Sequence, residues 1–63
     1  MLYNLKDLRQ KRGLTQEKLA QMSKVTRATI VKIENGEEVE VKIGTLESLA
    51  NALNCKVSDL LCI

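Results

Sequence analysis

Residues 13–36 carry two short amphipathic helical patterns joined by only a few residues. Gly13 closes whatever precedes it. Thr15 is placed to cap a helix from about Gln16 to Met22, with Glu17 favourably set in its first turn. Leu19 and Ala20 are its inward contacts, and Ala20 is small where the next helix must cross closely. The turn Ser23-Lys24-Val25 follows. Thr26 then caps a second helix, from about Arg27 to Glu34, with Ile30 and Ile33 as its inner stripe. Asn35-Gly36, two residues tolerant of the left-handed conformation, ends it. The other face of this second helix holds Arg27, Ala28, Thr29 and Lys32, residues for which a core has little use.

Two helices joined by so tight a turn form a helix-turn-helix, spanning about residues 15–35. In that arrangement the second helix enters a DNA major groove and the first crosses the backbone. The remaining sequence supplies a scaffold. A helix from about Asn4 to Arg12 has Asn4 at its cap and Asp7 three residues on, with Leu5 and Leu8 inward and Gly13 beyond its end. A fourth, from about Leu46 to Leu53 and capped by Thr45, turns Leu46, Leu49, Ala50 and Leu53 inward, with Asn54 as a left-handed stop. A last short helix from Val57 to about Leu61 contributes Val57, Leu60 and Leu61. Between them, Val39, Val41 and Ile43 alternate with Glu38, Glu40 and Lys42, the period of an extended segment. Within this chain it has no pairing partner. It is either an extended loop packing its apolar side on the core or a strand pairing with another copy's. The fold class is all-α: five helices around one aliphatic core, a single domain over residues 1–63.

A chain of 63 residues buries only about 60% of its unfolded surface, so that core must be efficient. Tyr3 is the only aromatic residue and proline is absent. No apolar run approaches the roughly 20 residues of a membrane span. The polar start carries no signal-peptide pattern, which sets a cytoplasmic location as the expectation. Cys55 and Cys62, in a chain without histidine, cannot complete a four-ligand zinc site and read as small buried apolar side chains in a reducing compartment. No metal or other cofactor is expected. Histidine, a glycine-rich phosphate loop and a pair of catalytic carboxylates are all missing, so an enzyme is not expected either. The net charge of +2 hides an asymmetry. Residues 1–36 hold eight basic groups against three acidic, whereas residues 37–63 hold two against five. The half with the two-helix motif is the one that attracts a polyanion.

The chain resembles the Cro/CI-type (XRE) helix-turn-helix family from residue 4 to 61. The matching residues are Leu5-x-x-Leu8-Arg9, Gly13-Leu14-Thr15-Gln16-x-x-Leu19-Ala20, Val25-Thr26-Arg27-x-Thr29-Ile30-x-Lys32-Ile33-Glu34-Asn35-Gly36 and Thr45-Leu46-x-x-Leu49-Ala50-x-Ala52-Leu53. The resemblance implies a compact five-helix, phage-repressor-like DNA-binding domain that binds an operator, usually as a dimer. It implies that Gln16 contacts phosphate and braces the third helix, and that Arg27, Ala28 and Thr29, just after the cap Thr26, point into the major groove. Lys32 would reach a base edge or a phosphate, and Asn35 the backbone. Arg9 and Glu34 match a partly buried ion pair tying the first helix to the end of the third. Three residues depart from the pattern. Lys24 stands where the family often has glycine, the loop Glu37-Glu38-x-Glu40 is acidic where relatives carry basic groups, and Lys56 replaces a serine cap.

The expected function is therefore a sequence-specific transcriptional regulator, a repressor, binding double-stranded operator DNA through its third helix. The chain is too small for a ligand-sensing domain, so no small-molecule ligand is expected. A homodimer through the C-terminal half is expected, with Val39, Val41, Ile43 and the tail Leu60-Leu61-Cys62-Ile63 as its apolar surface. The alternative is a protein-interaction module of the same fold, an antitoxin or anti-regulator, using that same surface.

Overall fold

The computed structural model describes residues 3–37 and 41–61 and places five helices in them: α1 Leu5–Lys11, α2 Gln16–Ser23, α3 Arg27–Glu34, α4 Ile43–Ala52 and α5 Val57–Leu60. The hydrophobic pattern explains the packing. Leu5, Leu19, Ile30, Ile33, Leu49, Leu53 and Leu60 are all under 2% exposed and come from every helix and the α4 C-terminus. Full burial of such a side chain stabilises by about 1.5–3 kcal/mol, so the core is carried by a few aliphatic residues. Helix α2 packs against both α3 and α4, α5 lies on α4, and α1 reaches α3.

Three helices end in the same way. Gly13, Gly36 and Asn54 take positive φ just past α1, α3 and α4. In each case the next two N–H groups return to the last turn: Gly13 and Leu14 to Gln10 and Arg9, Gly36 and Glu37 to Ile33 and Lys32, Asn54 and Cys55 to Asn51 and Ala50. This Schellman arrangement satisfies carbonyls that a helix end otherwise leaves open. Of the expected pair Asn35-Gly36, only Gly36 is left-handed, since Asn35 keeps right-handed angles at the C-cap.

Helix α2 stops differently. Lys24 itself is left-handed, with φ 61, and its N–H donates to the Ala20 carbonyl. A side chain there costs about 1–2 kcal/mol, which glycine avoids. We expect Lys24→Gly to raise stability by about 0.5 kcal/mol after the entropy of a freer unfolded chain is subtracted. The urea midpoint should rise at unchanged m value. A midpoint that falls would show that the lysine makes contacts worth more than its strain.

The fourth helix corrects the sequence reading. It begins at Ile43, not Leu46, and Thr45 lies in its first turn rather than capping it. Lys42 takes the N-cap position without a side-chain cap, and the Leu46 N–H closes the turn on the Lys42 carbonyl. Gly44 and two β-branched neighbours read as non-helical, but adding one turn to a helix already anchored by Leu46, Leu49, Ala50 and Leu53 is easy once nucleation is done. The alternation proposed for residues 37–43 therefore breaks. Val41 packs against the core, whereas Ile43 is helical and 64% exposed. Val39 lies outside the described residues.

Other ends are simpler. Asn4 sits at the α1 N-cap without a side-chain bond. Its N–H donates to the Leu60 carbonyl at 2.7 Å, and Tyr3 pairs with Leu61 in an isolated antiparallel bridge. These contacts join the two ends of the described chain, and Tyr3 enters the core. Asp7 pairs with Lys11 at 3.2 Å in the open. The departure at Lys56 is offset locally, because the Asp59 carboxylate accepts its backbone N–H at 3.0 Å.

Candidate nucleic-acid interface

Thr15 and Thr26 hold the starts of the two motif helices. The Thr15 hydroxyl accepts from the Lys18 N–H at 3.0 Å. The Thr26 hydroxyl accepts from the Thr29 N–H at 3.3 Å and shares a hydrogen bond with the Thr29 hydroxyl at 2.9 Å. Between them Ser23 closes the turn. Buried at the end of α2, its hydroxyl donates to the Leu19 carbonyl at 2.7 Å and accepts from the Val25 N–H at 3.2 Å. Ser23, named above only as a turn residue, has a local signal of its own: a serine one turn beyond a core leucine has this back-bond within reach.

Glu34 organises the other end of α3. Its carboxylate is 3% exposed and meets Arg9 through Nε at 2.7 Å and Nη2 at 3.1 Å. Gln16 Nε2 donates to the same carboxylate at 3.0 Å. Arg9 Nη1 reaches the Leu14 carbonyl at 2.8 Å. One buried anion thus gathers donors from α1 and from the first residue of α2. Gln16 is half-buried and braces α3 from inside the motif. Arg12 was another omission. Its Nε donates to the Leu53 carbonyl at 2.8 Å, placing a cation at the end of α4 where the helix dipole favours one.

The rest of α3 is turned outward. Arg27, Ala28, Lys32 and Asn35 are exposed, as is the cap Thr26, and Thr29 is half-buried. Among the described residues neither Arg27 nor Lys32 has an ion-pair partner. Two of the three acidic groups of this half, Asp7 and Glu34, are already paired with its own cations. Within the motif Lys18, Lys24, Arg27 and Lys32 are left without an ion pair among the described residues, against Glu17 alone.

Cys55 is half-buried against the core, and burial, then Asp59, push its thiol above the usual range while Arg12 opposes them. It stays protonated at neutral pH, in keeping with a packing role. Cys62 lies outside the described residues. Among the described residues no three His, Cys, Asp or Glu side chains gather into a metal-holding group, and no helix is long and apolar enough to cross a membrane.

Two short helices, a tight turn and an outward second helix with a capped start define a helix-turn-helix domain. Residues 5–60 match the helix-turn-helix family, and the chain belongs to it, in its Cro/CI-type (XRE) branch. It is also similar to a competence pilus inhibition repressor from Acinetobacter baylyi, 40% identical over 53 residues, which are 84% of this chain and 47% of that protein. The chain thus spans about half the length of that relative.

Proposed function

We propose that this chain is a sequence-specific DNA-binding transcriptional regulator, a repressor that occupies an operator with α3 in the major groove. The observation that carries the reading is the outer surface of α3. A capped helix start presents the side chains of Arg27 and Ala28 with no bond to another described residue, on a motif whose spare charge is positive. Arg27 supplies base discrimination, since its guanidinium donates bidentately to guanine O6 and N7. Ala28 makes an apolar contact and Thr29 a further base contact. Lys32, one turn on, serves a base edge or a phosphate, and Asn35 the backbone. Gln16, at the α2 N-terminus, sits where helix N–H groups favour a phosphate. The name of the Acinetobacter baylyi relative supports repression over activation.

Selection from randomised duplex DNA tests this reading. The full chain should enrich one motif, in two inverted half-sites about 10 base pairs apart centre to centre. A pool that stays random after selection refutes it.

The half-site spacing requires a dimer, and the C-terminal half supplies its surface. Leu60 is spent in the chain's own core, which among the described residues leaves Ile43, 64% exposed, and Leu61, 39% exposed, as its large apolar side chains in the open. An interface this small gives a weak dimer completed on DNA. Sedimentation equilibrium should show association at high protein concentration that Leu61→Lys abolishes, with the circular dichroism spectrum unchanged. A chain monomeric at millimolar concentration, binding its operator without cooperativity, contradicts the dimer.

A further inference from the structure

We infer that α3 reads guanine and thymine: Arg27 donates to a guanine, and Ala28 packs on the methyl group of a thymine. This rests on the proposed entry of α3 into the major groove, with Arg27 on guanine, and goes beyond it by assigning thymine to Ala28 and excluding adenine and cytosine at the start of the helix. The groups that this helix leaves available exclude the other bases. Each base shows a distinct edge in the major groove. Guanine offers two acceptors and asks for paired donors. Adenine offers an acceptor beside a donor and asks for an amide. Cytosine offers a donor and asks for a carboxylate or another acceptor. Thymine offers an acceptor and a methyl group.

The amides are in the wrong places. Asn35 lies at the C-cap of α3, eight residues from Arg27, about 12 Å along the axis from the end that contacts bases. Gln16 already donates to Glu34 at 3.0 Å. The one carboxylate of α3, Glu34, is 5% exposed and saturated by Arg9 and Gln16. The Thr29 hydroxyl, bonded to that of Thr26 at 2.9 Å, can donate or accept and so selects no single base. What the start of α3 keeps free is a planar fork of donors at Arg27 and a methyl at Ala28. Those two groups fit a guanine edge and a thymine methyl.

Base analogues test the assignment on the selected duplex. Replacing guanine by 7-deazaguanine removes only the N7 acceptor, and replacing thymine by uracil removes only the methyl. At one guanine of each half-site, 7-deazaguanine should weaken binding about 5-fold or more. At a neighbouring thymine, uracil should weaken it about 4-fold, the worth of one buried methyl. With Arg27→Ala the deazaguanine effect should vanish while the uracil effect persists, and with Ala28→Gly the reverse. If the selected duplex is bound specifically but neither analogue matters, or the deazaguanine effect survives in Arg27→Ala, the base assignment is wrong and groove entry stands. If no duplex is selected at all, groove entry fails and the assignment with it.

Discussion

Arg9→Ala should cost the domain at least a third of its stability. At ~0.05–0.15 kcal/mol per residue, a domain of this size holds roughly 3–9 kcal/mol in total. Breaking a buried ion pair by removing one partner costs about 3–5 kcal/mol, because the remaining charge is stranded. Here the stranded group is the Glu34 carboxylate, 3% exposed, which would keep only the Gln16 amide as a donor. The Leu14 carbonyl would lose its Arg9 donor as well. Arg9→Lys should be intermediate, since an ammonium keeps the charge but not the two-pronged geometry. Replacing both partners by apolar residues of similar volume, Arg9→Met with Glu34→Leu, should recover much of the loss. A double-mutant cycle by urea unfolding measures the coupling, which we expect above about 2 kcal/mol. A value near zero would show that the contact lies in effective reach of water and that α3 is held by the core alone.

How much of this was legible in the sequence depends on how local the cause is. Helix α3 runs from Arg27 to Glu34 as its cap and stop residues dictate, because Thr26 and Gly36 act on their own neighbours. The inward residues of α4 were legible from spacing, but its start was not. Gly44 and Thr45 carry weak local signals, and an anchored helix overrides them. Ile43 was misplaced for the same reason. The Arg12 bond to Leu53 spans 41 positions, and the burial of Tyr3 depends on the far end of the chain, so neither has any local signature. The roles of Arg27, Ala28, Thr29, Lys32 and Asn35 came from resemblance. The structure adds their exposure and the bonds that already occupy Thr29.

Arg27→Ala should remove most of the discrimination between DNA sequences while leaving the fold intact. Arg27 is exposed, with no ion pair or hydrogen bond to another described residue, so its loss costs the domain little. A good bidentate contact to a base contributes about 1–3 kcal/mol of discrimination, or 5- to 150-fold for each half-site. Affinity for the selected duplex should fall by that factor, and affinity for random duplex far less. Lys32→Ala is the contrast. If Lys32 meets a phosphate, both duplexes weaken alike and the salt slope drops by about 1. Equal weakening of both duplexes in Arg27→Ala would reduce Arg27 to a phosphate contact.

The central claim is that this domain recognises a particular DNA sequence, and one comparison tests it most directly. Dissociation constants of the full chain are measured for the selected duplex and for a shuffled duplex of the same composition, across a range of salt. The account predicts that the selected duplex binds at least about 10³-fold tighter near physiological salt, with both affinities falling as salt rises. Equal affinity for the two duplexes, or no binding to either at low salt, would contradict it.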